Sequence, residues 1–406
     1  MTAKPGAQVD LADQRSAREP ASYFREARAV DGPVQWSDAH HGWMIISYEE
    51  VEAAFREPAT LSADRVGPLE RIAHSQPEAF HRVVELLRGW MIFRDPPTHT
   101  RLREPVKAAF TPRRVASFET RIQTIVNEVL DGIPEGEVDL REEFAAPIPG
   151  YVIAAILGVD GSDRKNFQSW SRDLAHIVFS TSPGSIPEDA VARSTAGFTA
   201  FFSGLIDRER ANPSGSILSA IANMESSSLD QMELIGACTL LLFAGHETTS
   251  TLLNTAVGTL LEQPELLAFV RGHPEAYPTF VDEILRTQGP ARSMVRKVAV
   301  AHDRGGKKLE AGQTVYICIG AANHDEAVFA DPARFDPLRD PNPHFGFGWG
   351  LHFCIGAPLA RLEAGIALRS FVERFPLFEP VGVTAPLRGS ILGCGRDAVF
   401  ARLGWG

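Results

Sequence analysis

The sequence predicts a mainly α protein with a minor β region, and three observations carry that reading. Apolar residues recur at helical spacing over much of the chain, as at Ile122, Ile125, Val126 and Val129. One candidate helix, residues 229–262, is far longer than the rest; Ser228 and Gln231 form a capping-box start, and Pro264 lies just past its end. Strand-like alternation is confined to short stretches: 43–47, pieces within 291–319, and a strand or hairpin at 386–403.

Bulk properties narrow the function. The 406 residues are 44% hydrophobic and 22% charged, ordinary values for a soluble globular protein. A formal net charge of -11 argues against nucleic acid as the main partner. Cys238, Cys318, Cys354 and Cys394 are too scattered for a CxxC metal or redox motif, which suits free thiols in a reducing compartment. The first 20 residues are polar and charged, with neither a signal-peptide core nor a membrane anchor, so a cytoplasmic protein is expected. Residues 1–20 read as a flexible segment and 21–406 as a single domain, with no internal repeat or low-complexity linker.

The elements follow in order. Residues 43–47 read as a strand, followed by a helix from Tyr48 to Phe55. Residues 63–90 mix helical pieces with Gly and Pro. Asp95-Pro96-Pro97 opens a helix on which His99 and Arg103, four apart, share a face. Such a pair can hold two carboxylates; a solvated basic face is the alternative. Residues 113–133 and 144–158 are further helices. Within 163–210, two helical patterns flank the turn at 180–185 and read as a lid.

The 34-residue helix 229–262 would span roughly 50 Å at ~1.5 Å per residue. Its centre is apolar on all sides, the mark of a buried helix. A membrane span is rejected because Glu247 and several Thr and Asn residues interrupt the run. Gly245 sits in its interior at a cost of about 1 kcal/mol, which suggests a close approach or local unwinding. Glu247 beside Thr248 reads as a proton-delivery pair, or as a satisfied structural carboxylate and its neighbour.

Glu283 and Arg286 are i,i+3 and can pair, although surface pairs of this kind are common and weak. Gly289-Pro290 ends their helix, residues 329–337 form a Pro-punctuated meander, and 357–374 is a helix. Between these last two lies Phe347-Gly348-Trp349-Gly350-Leu351-His352-Phe353-Cys354-Ile355-Gly356. Gly348, Gly350 and Gly356 permit positive φ or passage close to a flat ligand. Loop amides and the following helix N-terminus would stabilise a Cys354 thiolate. A glycine-rich turn around a buried thiol is the competing reading.

In this order, Ala-Gly-x-Glu-Thr, Glu-x-x-Arg, the meander and Phe-Gly-x-Gly-x-His-x-Cys-x-Gly resemble the cytochrome P-450 family of haem-thiolate monooxygenases, in its soluble bacterial class. The resemblance covers about residues 20–405. It implies a triangular helical prism around a buried haem b (iron protoporphyrin IX), crossed by one long central helix. Cys354 would be the iron ligand, with Phe347, Gly348, Ile355 and Gly356 around the sulfur. His99, Arg103, Arg296 and His352 would bind the propionates, and Glu283, Arg286 and Arg334 would form a buried charge triad bracing the loop. Ala244, Gly245, Glu247 and Thr248 would serve the dioxygen side, Thr248 as hydrogen-bond donor and Glu247 as proton relay. Trp349 is larger than expected at its position, and the family often has Asp where Glu247 stands.

The resemblance also implies a small organic substrate. Its candidate contacts are Phe243, Ala244, Thr248, Ala291, Arg292, Val295 and Leu392, with Arg292 suited to a substrate carboxylate or else turned away from the pocket. No flavin or iron–sulfur module is evident, so a monomer fed by a separate ferredoxin or flavodoxin plus its reductase is expected. Arg101, Lys107, Arg113, Arg114 and Arg361 could steer that acidic partner. No membrane partner is expected. Competing readings are a catalyst of coupling, desaturation or ring formation on the same scaffold, a haem sensor, and a zinc site using Cys354 and His352.

Overall fold

The computed structural model describes residues 8–72, 78–159, 188–225, 229–382 and 385–405. The turn at 180–185, expected to join two lid helices, lies outside the described residues; the helix Glu188–Ala211 is described. The chain forms two compact units. One comprises Met1–Ser62, Val126–Ala146 and Thr248–Gly406, the other Ala63–Ile125 and Pro147–Glu247.

The first unit holds the β structure. Strands β1 (Val34–Ser37), β2 (Gly42–Ile45), β3 (Leu61–Ser62), β4 (Gly136–Asp139), β5 (Met294–Val298), β6 (Thr314–Ile317), β7 (Leu377–Pro380) and β8 (Phe400–Gly404) build its two larger sheets. Their orders are β1-β2-β6-β5-β3 and β4-β8-β7. All pairs are antiparallel except β2 with β6, where Gly42 faces Thr314 and Ile45 faces Ile317. A Cβ on Gly42 would lie 2.8 Å from the Tyr316 ring and 2.9 Å from the Thr314 carbonyl oxygen, so only glycine fits there. The strand expected at 43–47 ends at Ile45, because Ser47 turns to cap the helix Tyr48–Arg56 by accepting from the Glu50 amide. That helix packs Val51 and Phe55 with Val315, Ile317 and Phe345 into one core.

The N-terminal stretch is ordered earlier than its polarity suggests. Val9 and Leu11 are buried with Phe24, Met44 and Ile46, and the Asp10 backbone both donates to and accepts from the Tyr23 hydroxyl. The helix expected over 113–133 is divided into Pro112–Ser117, capped by Thr111, and Glu119–Gly132.

The second unit is helical, with Glu78–Arg88, Thr98–Ala109, Pro147–Ile156 and the first half of the central helix among its elements. The central helix is one uninterrupted α-helix, Gln231–Glu262, starting two residues later than expected. Among the described residues no helix is long and apolar enough to cross a membrane. Near its start, Gly236 meets Gly89: a Cβ on Gly236 would sit 2.5 Å from the Leu86 carbonyl oxygen and 2.8 Å from Gly89 Cα. Trp90 follows, buried between Phe93 and Phe243 at 5.6 Å to each ring, with its indole N–H donating to Thr239 Oγ1 at 3.0 Å. Arg101 donates with both terminal nitrogens to Glu233, which holds that carboxyl below its ordinary value.

Two glycine substitutions should therefore differ in sign. Gly236→Ala forces two backbones apart and should cost about 1–3 kcal/mol. Gly204→Ala, on a helix face where a Cβ meets nothing within 4 Å, should stabilise by about 1 kcal/mol through helix propensity alone. Thermal unfolding of the two variants checks both signs.

A second prediction concerns Glu363, on the helix Ala357–Arg374. It is buried, and its Oε1 meets no hydrogen-bond donor among the described residues. Burial pushes its carboxyl up to about 8 from an ordinary 4.5, so the fold favours the neutral acid. This contribution is complete below the unfolded value and is lost as pH rises through the folded one. Glu363→Gln should match the parent in acid and exceed it increasingly from about pH 4.5 to about 8, by on the order of 5 kcal/mol at most. Denaturant midpoints across that range test the trend; parallel curves for the two proteins would refute it.

Candidate functional site

The Cys354 loop is shaped by its own backbone. The Gly348 amide donates to the Phe345 carbonyl at 2.8 Å, the Phe353 amide to Gly350 at 3.1 Å, and the Cys354 amide to Phe347 at 3.0 Å. Gly348 and Gly350 have φ of 69° and 67°. Gly350 is also sterically required, since a Cβ would lie 2.7 Å from the Phe55 carbonyl oxygen. Gly356 has an ordinary φ of -77° as the cap of the helix Ala357–Arg374, and a Cβ there would lie 3.8 Å from the Cys354 sulfur. Its smallness therefore keeps the space beside the sulfur clear.

Of the four cysteines, only Cys354 is exposed. Burial pushes the thiols of Cys318 and Cys394 up to about 12 and about 11, and that of Cys238 higher still. The buried-thiol reading thus holds for those three and fails for Cys354. An accessible sulfur in a glycine loop at the head of a helix fits a thiolate-held planar cofactor.

The surrounding aromatic side chains are anchored by cations. Arg361 lies over the Phe347 ring at 4.6 Å and donates from Nε to Asp282 at 2.8 Å. Burial pushes Asp282 up, but hydrogen bonds from His344 and Arg361 outweigh it and the carboxyl sits below its ordinary value. Arg361 is therefore engaged rather than free to serve as a steering charge. The same holds for Arg101 with Glu233.

The charge cluster has a different membership from the expected triad. Glu283 is fully buried and receives Arg286 Nε at 2.8 Å and Nη2 at 2.7 Å. The second cation is Arg339, whose Nε donates at 3.1 Å. Arg334 is exposed and contributes only its backbone carbonyl, which accepts from both Arg286 and Arg339. The Pro-punctuated meander turns the Arg334 backbone inward. Asn342 and the Asp336 amide complete the Glu283 shell. Arg286 also donates to the Asn323 carbonyl, while Asn323 Oδ1 accepts from the Phe345 amide at 2.8 Å. The cluster thus reaches the start of the cysteine loop through Asn323, a residue with no motif to announce it.

On the central helix, Gly245 has the close approach expected of it: a Cβ would lie 3.0 Å from Ile153. No unwinding accompanies it. Ala244 and Thr248, one turn apart, are both exposed, and Glu247 is half-exposed, in a helix otherwise largely buried. Glu247 is therefore not the buried carboxylate expected; Oε1 lies 3.6 Å from Nδ1 of the buried His246. Phe243 is buried and stacks on Trp90.

The remaining expected residues divide between the units. His99 is fully buried on the helix Thr98–Ala109, with half-buried Arg103 one turn on, so the solvated-face alternative fails for His99. In the first unit, Arg296 on β5 donates to the Val295 carbonyl at 2.9 Å, and His352 and Ile355 are half-buried in the loop. Ala291, Val295 and Leu392 are half-exposed. Arg292 is buried, and its guanidinium is bonded to the Leu11 and Ser390 carbonyls and to Ser16 Oγ. It is committed to three protein acceptors, which overturns its expected role as a carboxylate anchor. Among the described residues no cluster of three or more His, Cys, Asp or Glu could hold a metal ion, which leaves the zinc reading without support.

Comparisons with known proteins agree with this chemistry. The sequence profile of the Cytochrome P450 family matches residues 277–390. Cytochrome P450 107B1 of Saccharopolyspora erythraea is 38% identical over 87% of this chain and 87% of its own. The 6-deoxyerythronolide B hydroxylase of the same organism is 36% identical over 89% and 90%. The crystal structure of the cytochrome P450 enzyme CYP109B1 from Bacillus subtilis matches with a TM-score of 0.79 and 34% identity, covering 95% of this chain and 100% of that one. Members of the family bind haem b through a cysteine thiolate, and the named hydroxylases among these relatives are monooxygenases. The chain belongs to the cytochrome P450 family and is a haem-dependent monooxygenase.

Proposed function

We propose that Cys354 is the thiolate that holds haem b in this chain, and the observation that carries this is its exposure among three buried cysteines. Haem held by a thiolate supplies the activation of dioxygen. The chain's own residues bind, orient and move protons. His99, Arg103, Arg296 and His352 pair with the propionates; Phe347, Gly348, Ile355 and Gly356 enclose the sulfur. Ala244 and Gly245 give the dioxygen side its room. The Thr248 hydroxyl donates a hydrogen bond there, and the half-exposed Glu247 carboxylate carries protons inward from water.

The substrate is a small organic compound, contacted by Ala291, Val295 and Leu392. Natural-product chemistry is supported by relatives named 6-deoxyerythronolide B hydroxylase and Nocardicin C N-oxygenase, both 36% identical. A second reading is oxidative coupling; a neighbour at 32% identity and TM-score 0.82 is described as an enzyme for C-S bond formation in chuangxinmycin biosynthesis. Electrons come from a ferredoxin or flavodoxin with its reductase. The protein works as a cytoplasmic monomer, and residues 21–406 act as one catalytic domain. Of the expected steering cations, Lys107, Arg113 and Arg114 remain, since Arg101 and Arg361 are engaged in ion pairs.

Two experiments test these roles. The reduced, CO-bound parent should show the red-shifted absorption band of a thiolate ligand, and Cys354→Ser should lose it; retention of the band in the variant would reassign the ligand. Thr248→Ala should keep the band while diverting reducing equivalents to hydrogen peroxide, cutting product per electron about tenfold or more. Coupling equal to the parent's would remove Thr248 from proton delivery.

A further inference from the structure

Three separated segments of the first unit converge on the buried Arg292 guanidinium. Nη1 donates at 3.1 Å to the Leu11 carbonyl, near the N-terminus, and at 3.1 Å to the Ser390 carbonyl, near the C-terminus. Nη2 donates at 2.7 Å to Ser16 Oγ. All three acceptors are neutral, and no ion pair to Arg292 appears among the described residues. Burial disfavours its charge, so the hydrogen bonds must offset the desolvation. Such a fork is geometrically demanding, because moving any one acceptor leaves a buried donor unsatisfied.

The backbone at Arg292 is equally constrained. Its amide donates to the Leu392 carbonyl at 2.9 Å, and its carbonyl accepts from the Gly320 amide at 3.0 Å. Ala291 and Gly393 form an antiparallel bridge, the Cys394 amide donates to the Pro290 carbonyl, and Ser293 Oγ donates to the Ile391 carbonyl. Residues 290–293 and 390–394 are thus laced into one small ladder. The N-terminal segment joins it independently: Gln14 exchanges hydrogen bonds with both Gly389 backbone groups, and Ala17 packs with Leu387 and Cys394. Gly389 is obligatory here, since a Cβ would fall 2.0 Å from Arg292 Nη1.

We infer that Arg292 is a positioning residue for substrate selection, setting the placement of the 291–295 and 390–393 segments by clasping them to residues 11–16. This rests on the reading of Ala291, Val295 and Leu392 as substrate contacts. Ala291 is bonded in sequence to Arg292, and the Leu392 carbonyl accepts from the Arg292 amide, so a shift at Arg292 moves both neighbours directly. The N-terminal segment, remote in sequence from every catalytic motif, thereby becomes part of the specificity apparatus.

The test uses the haem-loaded protein and two iron-binding azoles, with dissociation constants read from the absorption shift on titration. Imidazole reports on the haem site alone; 4-phenylimidazole must also fit against the pocket wall. Arg292→Lys keeps the charge but cannot span three acceptors, and should change the ratio of the two dissociation constants by about tenfold. Imidazole binding itself should move by less than about twofold. Ser16→Ala, a milder change that avoids a folding failure, should move the ratio about threefold in the same direction. An unchanged ratio in both variants, or equal shifts for both azoles, overturns the positioning role even if thermal stability falls. Leu392→Ala separates the underlying reading. If it leaves the ratio unchanged, Leu392 is not a contact; if it alone shifts the ratio, the contact stands and the clasp does not position it.

Discussion

A fully buried carboxylate cannot be left with an empty lone pair, and Glu283 sets much of the first unit through that requirement. Its two oxygens gather Arg286, Arg339, Asn342 and the Asp336 amide. The partners come from one helix and from a meander with no repeating structure of its own. Each satisfied donor therefore fixes a stretch of irregular chain that propensity alone would leave unspecified. Arg286 carries the constraint onward to the carbonyls of Asn323, Pro332 and Arg334, and Asn323 passes it to Phe345 at the mouth of the cysteine loop. The glycine loop, closed by its own backbone hydrogen bonds, therefore departs from a fixed point at Phe345 and holds Cys354 at a helix start. A network of this kind is worth most when complete, and removal of one member would leave several buried donors stranded.

This dependence explains which parts of the site were legible in sequence. Glu283 and Arg286 are three apart on a helix, so their pairing follows from helical geometry. The cysteine loop is legible for the same reason: its glycines, its sulfur and the following helix are contiguous. The third member of the cluster was not legible. Arg334 lies in the meander and Arg339 in the irregular chain just after it, and no periodicity says which side chain turns inward. Arg292 failed differently. An Arg amid apolar residues suggests a ligand, but its acceptors lie about 280 residues before and 100 residues after it in sequence. The stacking of Trp90 on Phe243 was not legible either, since the two residues are far apart in sequence.

The central helix makes the complementary point. Its length and apolar centre were legible, as was the need for a close contact at Gly245, which Ile153 supplies. The Gly89–Gly236 crossing was not, since neither glycine stands in a motif. Nor does composition show that Ala244, Glu247 and Thr248 form an open strip on a buried helix. That strip follows from i, i+3, i+4 spacing along one helix face.

The division between what this fold holds fixed and what it can vary follows from the same physics. The start of the cysteine loop is tied through Asn323 to the Glu283 cluster, whose members satisfy one another, so each is coupled to several others. Ala291 and Leu392 belong to a ladder held by backbone amides and carbonyls, together with the Arg292 fork. Backbone bonds do not depend on side-chain identity, so those positions can change without disturbing the ladder. The exception is the clasp: Arg292, Ser16 and Gly389 must keep their identities for the ladder to stay where it is. Side chains displayed on the ladder can then vary one at a time, whereas a change in the clasp moves the ladder itself.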